Sequence, residues 1–578
     1  MARRNDAVAA LLEEYADLLV ITGGGDAFKI RSYEKAARSV AGFHDDVSTM
    51  DAAAIGKIPQ VGKSIGAKII EYLTTGKIAA LEKLREQIPP GARTLIEIPG
   101  LGPKKAVTLS RELGVSSIDE LSAAIAAGRL DGLPGFGAKT AENILHGIEL
   151  LRRNEGRVLI DTATRVAEEI VAHLSGVPGC VACTFAGSLR RSRDTIGDVD
   201  ILAAATDSEP LMEAFRSAPY AFEIIGSGPT KTSLRTRQGL QVDLRVVQPE
   251  VWGAALQYFT GSREHNIRVR EIAVHKGLKL SEYGLFDAAS GELIVAATEE
   301  EVYERLGLPW IPPPLREDRG EVKAALKGEL PELVRISDLR GDLHSHTDLT
   351  DGVAPLRTMV AAARKRGLAY FAITDHAPNL TMQRMTTEKM LAQREEVRAL
   401  AAETDVVGDM VLLHGSELNI DPDGAVDWDG DFLAGFDVLV ASVHSHFGLP
   451  ADEQTRRLVR ACENAYVNVI GHPRARSIGK REPIDADWDA VFEAAAATGT
   501  AMEINCFPDR LDLSDDMVLR ARRHGVRFAI DTDCHSVRNM ENIRYGVGTA
   551  QRGWVTADEV INTWPLDRLR AFIAAKRP

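Results

Sequence analysis

Over the first 150 residues apolar positions recur at helical spacing, and one short pattern returns three times within that stretch. It reads Ile58-Pro59-Gln60-Val61-Gly62, then Ile98-Pro99-Gly100-Leu101-Gly102, then Leu133-Pro134-Gly135-Phe136-Gly137, each followed by an amphipathic run. The pattern predicts a tight turn that ends in glycine and opens a helix. From about residue 155 the period falls to two, and VDILAAA and LQVDLRVV read as strands between polar loops. A Pro-rich stop, LPWIPPPLRED, occupies residues 308–318, and the charged run EVKAALKGELPELVRI after it reads as a helical connector. Beyond Asp342 short apolar strands (AYFAIT, DVLVASV, YVNVIGH, RFAIDT) alternate with helical stretches, the signature of a parallel α/β barrel. Nearly every such strand ends in His, Asp or Glu, and in a barrel those ends converge on one mouth.

Composition narrows the class. A chain of 578 residues exceeds what one hydrophobic core holds, so several domains are expected. No apolar run approaches the roughly 20 residues of a membrane helix. The opening segment carries Glu13, Glu14 and Asp17 where a secretion signal is apolar, so a cytoplasmic protein with no membrane partner is expected. Five cysteines, with Cys180 and Cys183 as a lone C-x-x-C, form no disulfide framework. The net charge of −14 argues against indiscriminate coating of nucleic acid, which is driven by counterion release onto Lys and Arg. Local phosphate grips remain open to it. The three repeats have the pattern of helix-hairpin-helix elements, in which Gly62, Gly100, Gly102, Gly135 and Gly137 expose backbone N–H groups at helix N-termini for DNA phosphates. Gln60 stands where the other two copies have Gly100 and Gly135.

The first chemical constellation is Gly187-Ser188-Leu189-Arg190-Arg191 followed by Gly197-Asp198-Val199-Asp200. Strand alternation puts Asp198 and Asp200 on one face, and Asp243 can add a third carboxylate from a neighbouring strand. Three clustered carboxylates call for divalent cations, and the Gly-Ser and twin Arg can contact phosphate. With the G-S-x-R-R-x5-G-D-x-D spacing intact, residues 1–318 resemble the family X DNA polymerases, the polymerase beta group of the nucleotidyltransferases. Tyr258-Phe259-Thr260-Gly261-Ser262, then Asn266 and Arg270, is similar to that family's nucleotide pocket. The resemblance implies that Asp198, Asp200 and Asp243 hold Mg²⁺ or Mn²⁺, and that Gly187, Ser188, Arg191 and Gly197 meet the triphosphate. It implies further that Tyr258, Phe259, Gly261 and Ser262 line the nucleotide, Asn266 reaches the base edge and Arg270 the template. Ser192 replaces the family's usual glycine after the twin Arg. The run K-I-x-E-x-L-x-T-G-K from Lys68 is similar to the helix carrying a Schiff-base lysine for 5′-deoxyribose phosphate removal, with Lys35 matching a residue that contacts the 5′-phosphate. A lysine that only contacts a DNA phosphate is the equal alternative for Lys68.

The second constellation is histidine-rich. Nine of the fourteen histidines lie beyond residue 340, most of them in polar motifs: Asp342-Leu343-His344-Ser345-His346, Asp351-Gly352, Thr374-Asp375-His376, His444-Ser445-His446, Gly471-His472-Pro473 and Asp531-Thr532-Asp533-Cys534-His535, with Glu417 in GSELNI. Paired imidazoles at strand ends aim at one point. Residues from 340 onward resemble the PHP (polymerase and histidinol phosphatase) domains, a distorted (β/α)7 barrel with a three-metal phosphoesterase site. The resemblance makes His344, His346, Asp351, His376, Glu417, His444, His472, Asp533 and His535 its ligands, with Asp375 and Asn505 orienting them. Imidazole and carboxylate donors without thiolate suit three Mn²⁺ or Zn²⁺ ions.

The expected architecture is multidomain α/β: a helical lyase-like domain (1–90), further hairpins (91–155), an α+β palm (156–250), a nucleotide-pocket thumb (251–318), a linker (319–339) and the PHP barrel (340–578). The combination resembles bacterial family X polymerases that fill gapped or nicked double-stranded DNA with dNTPs, with 3′-to-5′ trimming by the PHP part and other repair proteins as further partners. Two alternatives stay open: a metallophosphatase of a small metabolite with an inactive polymerase half, and a non-catalytic scaffold for DNA ends.

Overall fold

Each repeat folds as the same unit in a computed structural model that describes residues 4–22, 24–43, 45–153, 156–383 and 385–578. Val61 N donates to Ile58 O at 3.0 Å, Leu101 N to Ile98 O at 3.0 Å and Phe136 N to Leu133 O at 3.1 Å. The turns then feed the helices Lys63–Thr75, Pro103–Leu113 and Ala138–Arg153. Gly100 and Gly135 sit at φ 80° and 85°, and Gln60 takes the same left-handed conformation at φ 64°. The first copy therefore keeps the turn despite losing the glycine. Apolar residues of the first hairpin join one helical core with Leu12, Tyr15 and Tyr33, while Ile98, Leu101, Phe136 and Ile144 belong to a second. Asn154 and Glu155, where the sequence ends this region, lie outside the described residues.

The palm is a five-stranded sheet of β1 (Ala182–Phe185), β2 (Asp198–Ala204), β3 (Ala221–Ser227), β4 (Lys231–Thr236) and β5 (Gln241–Val247), in the order β1-β2-β5-β4-β3. Strands β2 and β5 run parallel and set Asp200 opposite Asp243. The connector is tighter than its charge suggested: its helix stops at Lys327, followed by Gly328 at φ 70°. It is also packed, since Ala325 and Leu333 enter the thumb core and the buried Glu321 lies 2.7 Å from His265 Nδ1. Residues 319–339 thus include thumb structure, not a free tether.

In the last domain seven parallel strands follow one another in chain order: β6 (Gly341–Asp342), β7 (Tyr370–Ile373), β8 (Val411–Asn419), β9 (Val438–Ser442), β10 (Val469–Gly471), β11 (Ala501–Asn505) and β12 (Phe528–Asp531). A parallel bridge between Ser345 and Cys534 brings the two ends together. Two buried carboxylates reinforce this seam reciprocally. Thr532 N donates to Asp342 Oδ1 at 3.2 Å, and Leu343 N donates to Asp531 Oδ1 at 2.8 Å. Among the described residues no helix is long and apolar enough to cross a membrane.

Candidate active sites

On the palm, the strand pattern delivers Asp198, Asp200 and Asp243 to one place. Gly187, at φ 59°, packs so closely that a Cβ there would lie 2.0 Å from Asp200 Oδ2, which is why this turn needs glycine. Burial first, then the charges of Asp198 and Asp243, push the Asp200 carboxyl up to about 7. Burial also acts to raise Asp243, but hydrogen bonds from Lys231, Gln241 and Ser233 outweigh it and hold this carboxyl below its usual range. Lys231 Nζ lies 2.8 Å from Asp243 Oδ2. Lys231 was invisible in the sequence because only the register of β4 against β5 brings it near. A trio of carboxylates, one of them buried and reluctant to ionise alone, fits divalent cations.

The flanking groups divide. Arg190 turns away to the thumb, with Nη1 and Nη2 donating to Glu299 at 2.9 and 2.7 Å. Arg191 is near enough for its charge to act against the rise at Asp200. Its Nη1 donates to Thr260 O at 2.6 Å. Ser188 and Gly197 lie on the turn and on the approach to β2, and Gly261 and Ser262 follow the thumb helix Trp252–Thr260. Tyr258 and Phe259 meet edge-on at 5.1 Å. Asn266 is buried and held by Gln257 Nε2 and Tyr258 O, both at 2.8 Å, while Arg270 is exposed with its guanidinium 6.0 Å from the Tyr258 ring. Asn266 therefore supports the pocket wall in this structure.

In the N-terminal core Lys68 Nζ sits 5.5 and 5.7 Å from the ring centroids of Tyr15 and Tyr33, and 3.3 Å from Ser64 Oγ. Two buried rings thus flank this amine. Lys35 is exposed on the Ala27–Gly42 helix. Added side chains at Gly62, Gly100, Gly102, Gly135 and Gly137 would meet nothing within 4 Å, so the turn surfaces stand open.

At the barrel mouth all nine expected residues converge. Three donor sets each gather within 4.8 Å: His346, Asp351, His376 and His535; His344, His346 and Asp533; His376, Glu417 and His444. His472 joins through Nε2, 2.9 Å from Glu417 Oε1. Glu417 is the hub, with His376 Nδ1 at 2.8 Å and His444 Nε2 at 3.0 Å. Several donors are buried without a hydrogen bond: His344 Nε2, His346 Nδ1, Asp351 Oδ1 and His472 Nδ1. Orphaned polar atoms in the interior are expensive, and cations between them would satisfy the set. Electrostatics point the same way. Although burial lowers it, Glu417 and Asp351 push His376 up to about 10, whereas burial and Arg510 push His472 down to about 4. Positive φ at His472 (27°) and Asp533 (49°) shows backbone strain held at the cluster.

The supporting residues are partly new. Asn505 Nδ2 donates to Asp533 Oδ2 at 3.1 Å. Asp375 instead clamps the loop after His346, accepting Thr347 N at 2.9 Å and Gln393 Nε2 at 2.6 Å. Glu503 was missed: His344 Nδ1 lies 2.6 Å from Glu503 Oε1, and His472 N donates to Oε2 at 2.5 Å. Alternation along AMEIN, which puts Glu503 on the face of Asn505, was the available signal. The mouth opens into a cleft of about 1690 Å³ walled by helical-domain residues such as Arg4 and Arg38, by palm residues such as Arg165 and Tyr220, and by Arg510, Asp533 and His535. Asp198, Asp200 and Asp243 do not line it.

Comparison with known proteins agrees with this anatomy. The chain matches a helix-hairpin-helix domain over residues 3–78, a SAM-like helix-hairpin-helix tandem over 92–149, the DNA polymerase beta thumb over 255–317 and the PHP domain over 342–506. It is 36% identical over 569 residues to the DNA polymerase/3′-5′ exonuclease PolX of Bacillus subtilis (strain 168), covering 98% of both chains. DNA polymerase lambda of Rattus norvegicus is 28% identical over 51% of this chain and 53% of its own. A probable phosphatase of Shewanella sediminis is 35% identical over 28% of this chain and 63% of its own. Full-length similarity with the thumb and PHP modules in the same order makes the chain a member of the family X DNA polymerases that carry a C-terminal PHP domain.

Proposed function

We propose that this protein fills short gaps in double-stranded DNA from dNTPs at Asp198, Asp200 and Asp243, and trims 3′ ends hydrolytically at the PHP cluster. The observation that carries this reading is the coexistence on one chain of three neighbouring palm carboxylates and a nine-residue His, Asp and Glu cluster in the barrel. Divalent cations, Mg²⁺ or Mn²⁺ in the palm and three Mn²⁺ or Zn²⁺ in the barrel, would supply Lewis acidity at the phosphorus and its leaving oxygen. The protein's part is positional. Asp198 and Asp200 would hold both cations, Asp243, kept ionised by Lys231, would hold the one on the primer side, and Arg191 with Ser188 grips the triphosphate. In the barrel Glu503 fixes the His344 ring through Nδ1, leaving Nε2 for ligation. The hairpins hold DNA phosphate through their open turns.

The cleft favours a strand over a small metabolite as the PHP substrate. Its volume of about 1690 Å³ exceeds the ~300–1,000 Å³ of small-ligand pockets, and its walls carry arginines and carboxylates together. The relatives' names, a polymerase with 3′-5′ exonuclease at full length and a phosphatase over the PHP part alone, support the same division. Lys68, flanked by two rings, is the proposed Schiff-base amine of an accessory 5′-deoxyribose phosphate lyase. A labelled gapped primer incubated with Mn²⁺, with and without dNTPs, tests the main assignment. His376→Ala should lose degradation and keep extension, and Asp198→Ala should do the converse. Degradation that survives His376→Ala but disappears in Asp198→Ala would refute it.

A further inference from the structure

The turn that carries Arg191 is not built by the palm alone. Ser192 follows it in the left-handed region at φ 57°, where a glycine would be unstrained. Against it lies the PHP-domain helix Ile543–Arg552, and at the point of contact that helix has Gly548. A Cβ on Gly548 would stand 2.8 Å from the Ser192 Cβ and 2.9 Å from its Oγ. The two positions are complementary: the side chain that the turn carries in place of hydrogen is accommodated by a missing side chain across the domain boundary.

The end of the same helix supplies a second, chemical contact. Arg552 Nη1 donates to the Arg191 carbonyl at 2.8 Å and to Glu317 Oε1 at 2.7 Å. Arg191 Nε donates to that same Glu317 oxygen at 3.0 Å, so one carboxylate joins the palm arginine to the PHP arginine. Arg552 is in turn fixed by Asp515, with Nε at 3.0 Å and Nη2 at 2.7 Å, and Asp515 also meets Arg319 at 2.9 Å. The network is shielded: Arg552, Glu317 and Arg191 side chains are 3%, 10% and 13% exposed. Arg193 faces Glu317 as well, at 3.5 Å. Tyr545, from the same helix, completes the palm core, and Arg544 pairs with Glu168 at 2.7 Å.

We propose that the PHP domain is a working part of the polymerase's triphosphate subsite, with Arg552 and Gly548 as positioning residues for Arg191. Arg552 anchors the turn by its carbonyl. It also takes a share of the Glu317 charge that would otherwise be spent on the Arg191 guanidinium, leaving more of that cation's field for an incoming triphosphate. Without Arg552, Glu317 pairs with Arg191 undiluted and the turn loses its anchor. The loss falls on nucleotide binding, while the barrel mouth, built from other residues, keeps its chemistry. The proposal rests on the reading of Arg191 as a triphosphate ligand.

The test is steady-state gap filling by the full-length protein, with PHP-dependent primer degradation measured on the same preparation. Arg552→Gln should raise KM for dNTP about tenfold, roughly 1.4 kcal/mol of binding, with kcat changed less than threefold and degradation unchanged. Arg552→Lys should recover part of the loss. Gly548→Ala should raise KM through the clash with Ser192 while degradation stays unchanged, which excludes a general loss of fold, and Ser192→Gly in that background should restore KM. Arg191→Ala separates the two readings. If it leaves KM for dNTP unaltered, the triphosphate role of Arg191 fails. If it raises KM while folded Arg552→Gln and Gly548→Ala do not, the PHP contribution is refuted. Should Arg552→Gln lose helical circular dichroism, the Gly548→Ala and Ser192→Gly pair decides alone, and absence of rescue overturns the proposal.

Discussion

On the proposed reading of Asp200 as a metal ligand, a single side chain ties metal chemistry to stability. Its carboxyl is pushed up to about 7 in the fold, against about 4 in an unfolded chain. The native state therefore holds a proton that the unfolded state releases, and this contribution to stability is full below about pH 4 and lost as pH rises through about 7. In metal-free protein, melting curves should show a component that falls across this window. Asp200→Asn should flatten it, and Mg²⁺ should raise Tm more at pH 8 than at pH 5 in the parent only. Glu503 makes a complementary case. Glu503→Gln keeps the size but removes the charge that orients His344, so degradation should fall roughly 10–100-fold with dNTP addition intact. A normal degradation rate in that variant would show that His344 needs no such support. The sequence exposed Asp198 and Asp200 because they alternate on one strand, and it exposed the histidines because they sit in polar motifs. Glu503 stayed hidden since its partners His344 and His472 lie 159 and 31 positions away, and Lys231 since only the register of β4 against β5 sets it beside Asp243.

Among the elements, the three hairpins were readable because a tight turn is a local event: Pro, a left-handed residue and Gly within five positions. Gln60 carries the strain of that turn without the freedom of glycine. A left-handed L-residue costs about 1–2 kcal/mol and glycine's extra chain entropy about 0.5–1, so Gln60→Gly should stabilise the first hairpin slightly. Hydrogen exchange of the Lys63–Thr75 amides should slow, and Gly100→Ala should quicken exchange in Pro103–Leu113. Unchanged protection in both would mean that packing, not turn conformation, sets hairpin stability. The barrel was likewise legible strand by strand. Its closure came with the resemblance to PHP domains, but the clasps that make the seam did not, because they join residues 188 and 190 positions apart that no local pattern pairs. The connector keeps the expected helix as Glu321–Lys327, but its packing was not legible, since Glu321 meets a partner, His265, 56 positions away.

At the scale of the whole molecule, domain contacts outran anything local pattern could supply. Leu511 and Tyr545 of the PHP domain lie in the palm core, and the first helical domain has its own. Palm and PHP should therefore melt together in calorimetry, apart from the N-terminal helical region. Separate palm and PHP transitions would mean that the shared core contributes little. The cleft adds a consequence for turnover. The palm carboxylates do not line it, and on the proposed division of labour a 3′ terminus occupies one site at a time. An incoming dNTP then acts as a competitive inhibitor of degradation without approaching a single PHP ligand, by prolonging the residence of the terminus in the palm. Growth and loss of a primer become a partition between two dwell times, and degradation should be halved near the dNTP concentration that half-saturates extension.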